Sequence, residues 1–117
     1  MTKLEKLRSR YMHDPIPVRL GGLAANLARV ASFSKHPGHQ EVVSNILHES
    51  RWLIEWTATQ LEIQETAELA TLQIQLAVWD LQSRYQWQDE TWRFALAEKA
   101  NRWSRRILEM SGLLKSS

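Results

Sequence analysis

HQEVVSNILHESRWLIEWTATQLEIQETAELATLQIQLAVWDLQSRYQWQDETWRFALAEKANRWSRRILEMS, residues 39–111, contains neither glycine nor proline. The chain's four glycines and three prolines stand outside it, at Pro15, Pro17, Gly21, Gly22, Pro37, Gly38 and Gly112. So long a stretch without a backbone breaker, rich in Leu, Ala, Glu, Gln and Arg, reads as helix. The expected fold class is therefore all-α, an antiparallel (up-down) four-helix bundle with a short N-terminal arm.

Working outward, the punctuation and the spacing of apolar residues divide the chain. A first helix is expected after Pro17, because proline suits a first helical turn. Leu20, Leu23, Leu27 and Val30 then recur at three- and four-residue steps. Ala24, Ala28 and Ala31, with Gly21 and Gly22, make this helix slender enough for a close neighbour. His36-Pro37-Gly38-His39 ends it in a turn. A second helix from about Gln40 carries Val43, Ile46, Leu47, Leu53, Ile54 and Leu61 on one broad face. A third has Leu69, Leu72, Leu76 and Trp79 on one side.

The fourth helix begins near Asp89-Glu90, whose negative charges suit a helix N-terminus. Its stripe is Trp92, Leu96, Ala100, Trp103, Ile107, Met110 and Leu114. Gly112 sits where a C-terminal cap is expected, and residues 113–117 form a tail. Before Pro15, Leu4, Leu7 and Tyr11 allow either a short basic amphipathic helix or a frayed arm over residues 1–15.

The joint between the second and third helices is the weak point. An unbroken helix from 40 to 86 would be about 70 Å long, more than one small domain can cover. A turn near Ile63–Thr66 is expected instead, on ordinary helix lengths.

One stripe suffices for a helix packed on a core, and the third helix has two. Ala67, Ala70, Ile74, Val78, Leu81 and Tyr85 lie opposite its Leu69/Leu72/Leu76/Trp79 side. On the second helix Trp52 and Trp56, with Ile63, fall well off the main stripe. Apolar residues on two sides call for burial on two sides, either inside one monomer or against a partner. Six tryptophans favour the partner, since tryptophan is enriched at interfaces. The residues expected to form the contact surface are Trp52, Trp56, Ile63, Ile74, Val78, Leu81 and Tyr85, and the partner is a protein or a second copy of the chain.

Length and composition agree with one domain spanning 1–117. At 117 residues the chain can bury a core without metal or disulfide staples, and 44% hydrophobic with 24% charged residues is ordinary for a globular fold. It has no cysteine, which excludes thiol catalysis and thiolate metal sites and suits a reducing, cytoplasmic setting. The first residues lack the apolar core of a signal peptide, and no stretch has the length of a membrane span.

Net charge is only +2, yet it is unevenly spread. Seven Lys/Arg stand against two Asp/Glu in 1–39, two against nine in 40–91, and six against two in 92–117. Middle helices packed beside terminal ones would oppose these charges across their rims. The acidic middle argues against nucleic acid as a partner, although Lys3, Lys6, Arg8 and Arg10, or Lys99, Arg102 and Arg106, form local basic groups.

Motifs with chemistry of their own are wanting. His36 and His39 flank a tight turn near Glu41, but with no cysteine and no His-x-x-x-His on a helix they read as solvent-exposed turn residues. His48-Glu49 lacks the rest of a zinc-protease signature. No glutamate is followed three residues later by histidine, as a di-iron bundle requires. Gly21-Gly22 has no strand before it to make a phosphate loop, and no serine sits in a Gly-x-Ser-x-Gly setting. Neither metal nor cofactor is therefore expected, and no catalytic residue.

The pairs Arg8/His13 and Arg29/His36 have the loose Arg-to-His spacing of HEPN ribonucleases, but early in the chain, whereas that motif belongs on a late helix. An RNA-cleaving bundle is thus an alternative to the interaction module. A second alternative is a pigment or other hydrophobic ligand held between tryptophan-bearing helices.

The Trp- and Gln-rich segments Arg51-Trp52-Leu53-Ile54-Glu55-Trp56 and Tyr85-Gln86-Trp87-Gln88 resemble those of small uncharacterised helical proteins from cyanobacteria. That resemblance implies an all-α fold and carries no activity with it.

Overall fold

The computed structural model describes residues 1–113. Leu114, expected to end the last stripe, and the Lys115–Ser117 part of the tail lie outside the described residues. Within them the secondary structure is helical throughout: α1 (Lys3–His13), α2 (Ile16–Ser34), a 3-10 turn (Pro37–His39), α3 (Gln40–Ala58), α4 (Ile63–Gln86) and α5 (Glu90–Ser111).

Of the two forms the sequence allows for residues 1–15, the helix is the one present, and it is docked. Thr2 caps α1 by accepting the Glu5 amide at 3.1 Å, and its hydroxyl donates to the Glu5 carboxylate at 3.2 Å, a reciprocal pair that favours helix initiation. Asp14 turns extended ahead of Pro15 and ends the helix. Tyr11 is buried and donates to the Arg19 carbonyl at 2.9 Å. Arg19, also buried, binds the Asp14 and Met12 carbonyls through Nε and Nη2, at 2.8 and 3.1 Å, and Gln60 Oε1 through Nη1 at 2.6 Å. One guanidinium thus ties the end of α1 to α2 and to the corner beyond α3.

The α2 helix starts at Ile16, two residues earlier than its prolines suggest, with Pro15 as N-cap and Pro17 in the first turn. Asp89 caps α5 by accepting the Thr91 and Trp92 amides at 2.9 and 3.3 Å. Gly112 ends it at φ 77°, a left-handed conformation that glycine adopts without a Cβ penalty.

The break between α3 and α4 falls at Thr59–Glu62, four residues before the expected turn, and Ile63–Thr66 is the first turn of α4. The reason lies in a side chain. Thr66 donates its hydroxyl to the Ala58 carbonyl at 2.8 Å, satisfying one of the carbonyls that the end of α3 leaves open. Glu62 is extended, so the corner is closed from inside α4.

The core is built from the expected stripes. Leu20, Leu23, Leu27 and Val30 of α2 meet Val43, Leu47 and Ile54 of α3, Leu69, Leu72, Leu76 and Trp79 of α4, and Leu96, Ala100 and Ile107 of α5, all buried. Full burial of such side chains contributes about 1.5–3 kcal/mol each. α2 packs most extensively on α5, then on α3, and α3 on α4. Buried Ala24 and Ala31 on α2, with Ala97 and Ala100 on α5, permit the close α2–α5 approach. There the Ser104 hydroxyl reaches the Ala24 carbonyl at 2.7 Å. Gly22 takes no part, since nothing lies within 4 Å of where its Cβ would be. The molecule measures 40 × 38 × 23 Å, and its thin dimension is about two helix diameters.

Candidate interaction surface

α4 is held from both flanks. On one, Gln73 donates to the Arg51 carbonyl of α3 at 3.1 Å, and Asp80 receives Ser44 and His48 of α3. On the other, Arg106 of α5 pairs with Glu68 at 2.8 Å and the Trp92 indole N–H reaches Gln82 at 3.4 Å. These bonds turn the Leu69/Leu72/Leu76/Trp79 side inward and leave the opposite side facing out.

That outer side is apolar along its whole length. Ile63 is 88% exposed, Ile74 67%, Leu81 56% and Tyr85 82%, with Val78, Ala67 and Ala70 also exposed. Positions 63, 67, 70, 74, 78, 81 and 85 advance by fours and threes at a mean close to 3.6, so they stay within about 80° of arc on a straight helix. The stripe runs for about 33 Å. The monomer therefore does not wrap the second face of this helix, which removes the possibility that both faces are internal.

The two tryptophans of α3 part company. Trp56 is 9% exposed and packs against Tyr11, ring centroids 6.1 Å apart, so it belongs to the core rather than to a contact surface. Trp52 stacks on it at 5.9 Å but keeps 43% exposure. It borders a hollow with His48, Arg51, Glu55 and Gln73, on the α3 flank of α4. Beside the start of the outer stripe, Ala58, Leu61, Ile63, Thr66, Ala67 and Ala70 line a shallow, mainly apolar depression of about 530 Å³.

No protein-family model, curated protein or solved structure matches this chain.

Several of the polar groups singled out in the sequence are engaged elsewhere. His36 Nδ1 accepts the Gly38 amide at 3.0 Å and its ring lies 4.6 Å from that of His39, which meets Phe33 edge-on. These contacts make the pair a turn. Among the described residues no group of three or more His, Asp or Glu side chains is placed to hold a metal ion. Arg29 donates to the Asn26 side chain, while Arg8 and His13 border an open hollow on α1 with Met1, Glu5 and Met12. Lys99, Arg102, Trp103 and Arg106 line another hollow, and two of these arginines have acidic partners, Glu98 3.7 Å from Arg102 and Glu68 2.8 Å from Arg106.

One cluster has no signal in the sequence. Asp80, buried on α4, accepts the Ser44 hydroxyl at 3.2 Å and lies 2.8 Å from His48 Nε2. Serine, histidine and aspartate meet here, but with the carboxylate in the middle. The hydroxyl gives its proton to Asp80, so the imidazole does not activate it, as nucleophilic catalysis demands. The cluster clamps α3 to α4.

Proposed function

We propose that this chain is a helical protein–protein interaction module, an adaptor, assembly or regulatory subunit, that works through the outer face of α4 and self-associates there. Ile63, Ile74, Val78, Leu81 and Tyr85 form the contact surface, with Trp52 at its edge. Trp56 supports Trp52 from behind. The frame is an antiparallel bundle of α2 to α5, with α1 strapped across α2 and α3. This order is supported by paired contacts whose residue numbers run in opposite senses: Arg19/Gln60 and Asn26/Ser50, Ala58/Thr66 and Ser44/Asp80, Glu68/Arg106 and Gln82/Trp92.

A single observation carries the reading: a straight apolar stripe on a helix whose inner face is already buried. Isolated exposed apolar residues are normal on a protein surface, whereas a contiguous patch of them marks an interaction site. With no cysteine, and no helix among the described residues long and apolar enough to cross a membrane, the cytoplasm is the setting we assign.

Light scattering from micromolar to millimolar concentration tests the proposal. The expected mass climbs from 13.7 kDa towards twice that value, and Ile74→Lys holds it at the monomer with an unchanged circular dichroism spectrum. A wild-type chain that stays monomeric throughout that range removes self-association.

A further inference from the structure

We infer that the occupant of this face is a second copy of the chain, lying antiparallel across a two-fold axis that passes beside Ile74; the inference rests on the interaction-module reading and specifies its geometry. The stripe is symmetric about Ile74 in its spacing. Its members stand four, seven and eleven residues to either side, so a two-fold axis there sets Ile74 against Ile74 and every other member against a counterpart. Closed symmetric dimers need such a self-complementary patch.

Size is complementary as well as spacing. Ala67 meets Leu81, Ala70 meets Val78 and Ile63 meets Tyr85. The half before Ile74 carries the alanine-lined depression. The half after it carries the exposed ridge of Val78, Leu81 and Tyr85. Antiparallel pairing seats each ridge in the other copy's depression, as close packing requires. A parallel pair would set alanine on alanine, leaving voids, and Tyr85 on Tyr85.

Charge agrees. Arg84 stands near the C-terminal end of α4 and Glu62 is the extended residue that caps its start, both exposed. In the antiparallel pair each Arg84 lies at the level of the other copy's Glu62, about two residues off register, whereas a parallel pair would set Arg84 level with Arg84 and Glu62 level with Glu62. A stripe about 33 Å long on a helix about 10 Å across is small beside the roughly 800 Å² per partner of a standard interface. A weak, concentration-dependent association is therefore expected.

Because the chain has no cysteine, single nitroxide labels on Thr71→Cys and Gln86→Cys report the geometry by pulsed dipolar spectroscopy of the dimer. Thr71 is three residues from the axis and Gln86 twelve. At 1.5 Å per residue the two labels of a dimer are offset along the helix by about 9 Å in the first case and about 36 Å in the second. The expected result is a short distance at 71 and one near 40 Å at 86, both abolished by Leu81→Lys. Arg84→Glu should weaken the dimer about tenfold by setting like charges together, and adding Glu62→Arg should restore it. Equal distances at the two sites overturn the antiparallel arrangement while leaving the contact surface standing. Coupling that survives Leu81→Lys places the dimer on another face and overturns both readings, and a monomer overturns the second copy as occupant.

Discussion

The Thr57 hydroxyl of α3 donates to the phenolic oxygen of Tyr11 in α1 at 3.1 Å, and that phenol in turn donates to the Arg19 carbonyl of α2. Three helices meet at one buried oxygen. Tyr11→Phe leaves the Thr57 donor and the Arg19 carbonyl without this partner, and should cost about 1–2 kcal/mol in urea unfolding. Hydrogen exchange should quicken in residues 3–13 more than in α4. Uniform exchange along the chain would show that the bond does not hold α1 in place.

The same phenol sets a response to alkali. Burial pushes the Tyr11 pKa above its ordinary value of 10.0, against the lowering effects of the Thr57 hydrogen bond and Arg19. The folded chain thus keeps this proton after the unfolded chain has lost it. Its contribution is fully present below pH 10 and falls away as pH rises from there through the folded-state pKa. Wild type should lose stability over that range more steeply than Tyr11→Phe, as pH-dependent thermal melts would show. Identical slopes would exclude the effect.

Trp52 and Trp56 are four residues apart and stacked, yet their roles differ. Trp56→Ala opens a cavity beside Tyr11 and should cost about 3–5 kcal/mol. Trp52→Ala removes a ring that is 43% exposed and should cost the monomer less than half as much. Denaturant midpoints of the two variants, taken at low protein concentration, decide this.

Glycines offer a contrast in sign. Gly22 lies in the helix with open space where a Cβ would go, so Gly22→Ala should raise stability by about 0.5–1 kcal/mol. Gly112 also has open space around it but sits at φ 77°, and Gly112→Ala should lower stability by about 1 kcal/mol through backbone strain alone. Thermal melts of the two variants should move in opposite directions.

Asp80→Ala should cost about 1–3 kcal/mol, because two partners on α3 lose one buried acceptor. His48→Ala should cost under about 1 kcal/mol, since the imidazole is largely exposed and its pairing with Asp80 is screened by solvent. Equal losses in urea unfolding would mean that Ser44 contributes nothing to the clamp.

The helices, their inner stripes, the Asp89 start of α5 and the Gly112 stop were all legible in the sequence. Each depends on residues within a turn or two of one another. Less legible was the corner at Thr59–Glu62, which depends on Thr66 reaching back to Ala58. So was the docking of α1, where Leu4, Leu7 and Tyr11 looked like a marginal amphipathic pattern until Arg19 and Thr57 supplied partners. Of the contact residues, the α4 positions emerged exposed because their spacing was right for a face opposite the core. Trp56 did not, because a tryptophan off the main stripe of α3 can still be covered by a helix from elsewhere, and α1 covers it.

By itself the amino-acid order determined that the backbone coils and which side of each helix is oily, because both follow from covalent geometry repeating every three or four residues. It gave α4 two such sides without the contacts that hold one of them inward. Tertiary structure supplied those contacts. Bonds from Arg51, His48 and Arg106, distant in the chain, hold Leu69, Leu72, Leu76 and Trp79 against the core, and no local spacing can encode which neighbours a helix will meet.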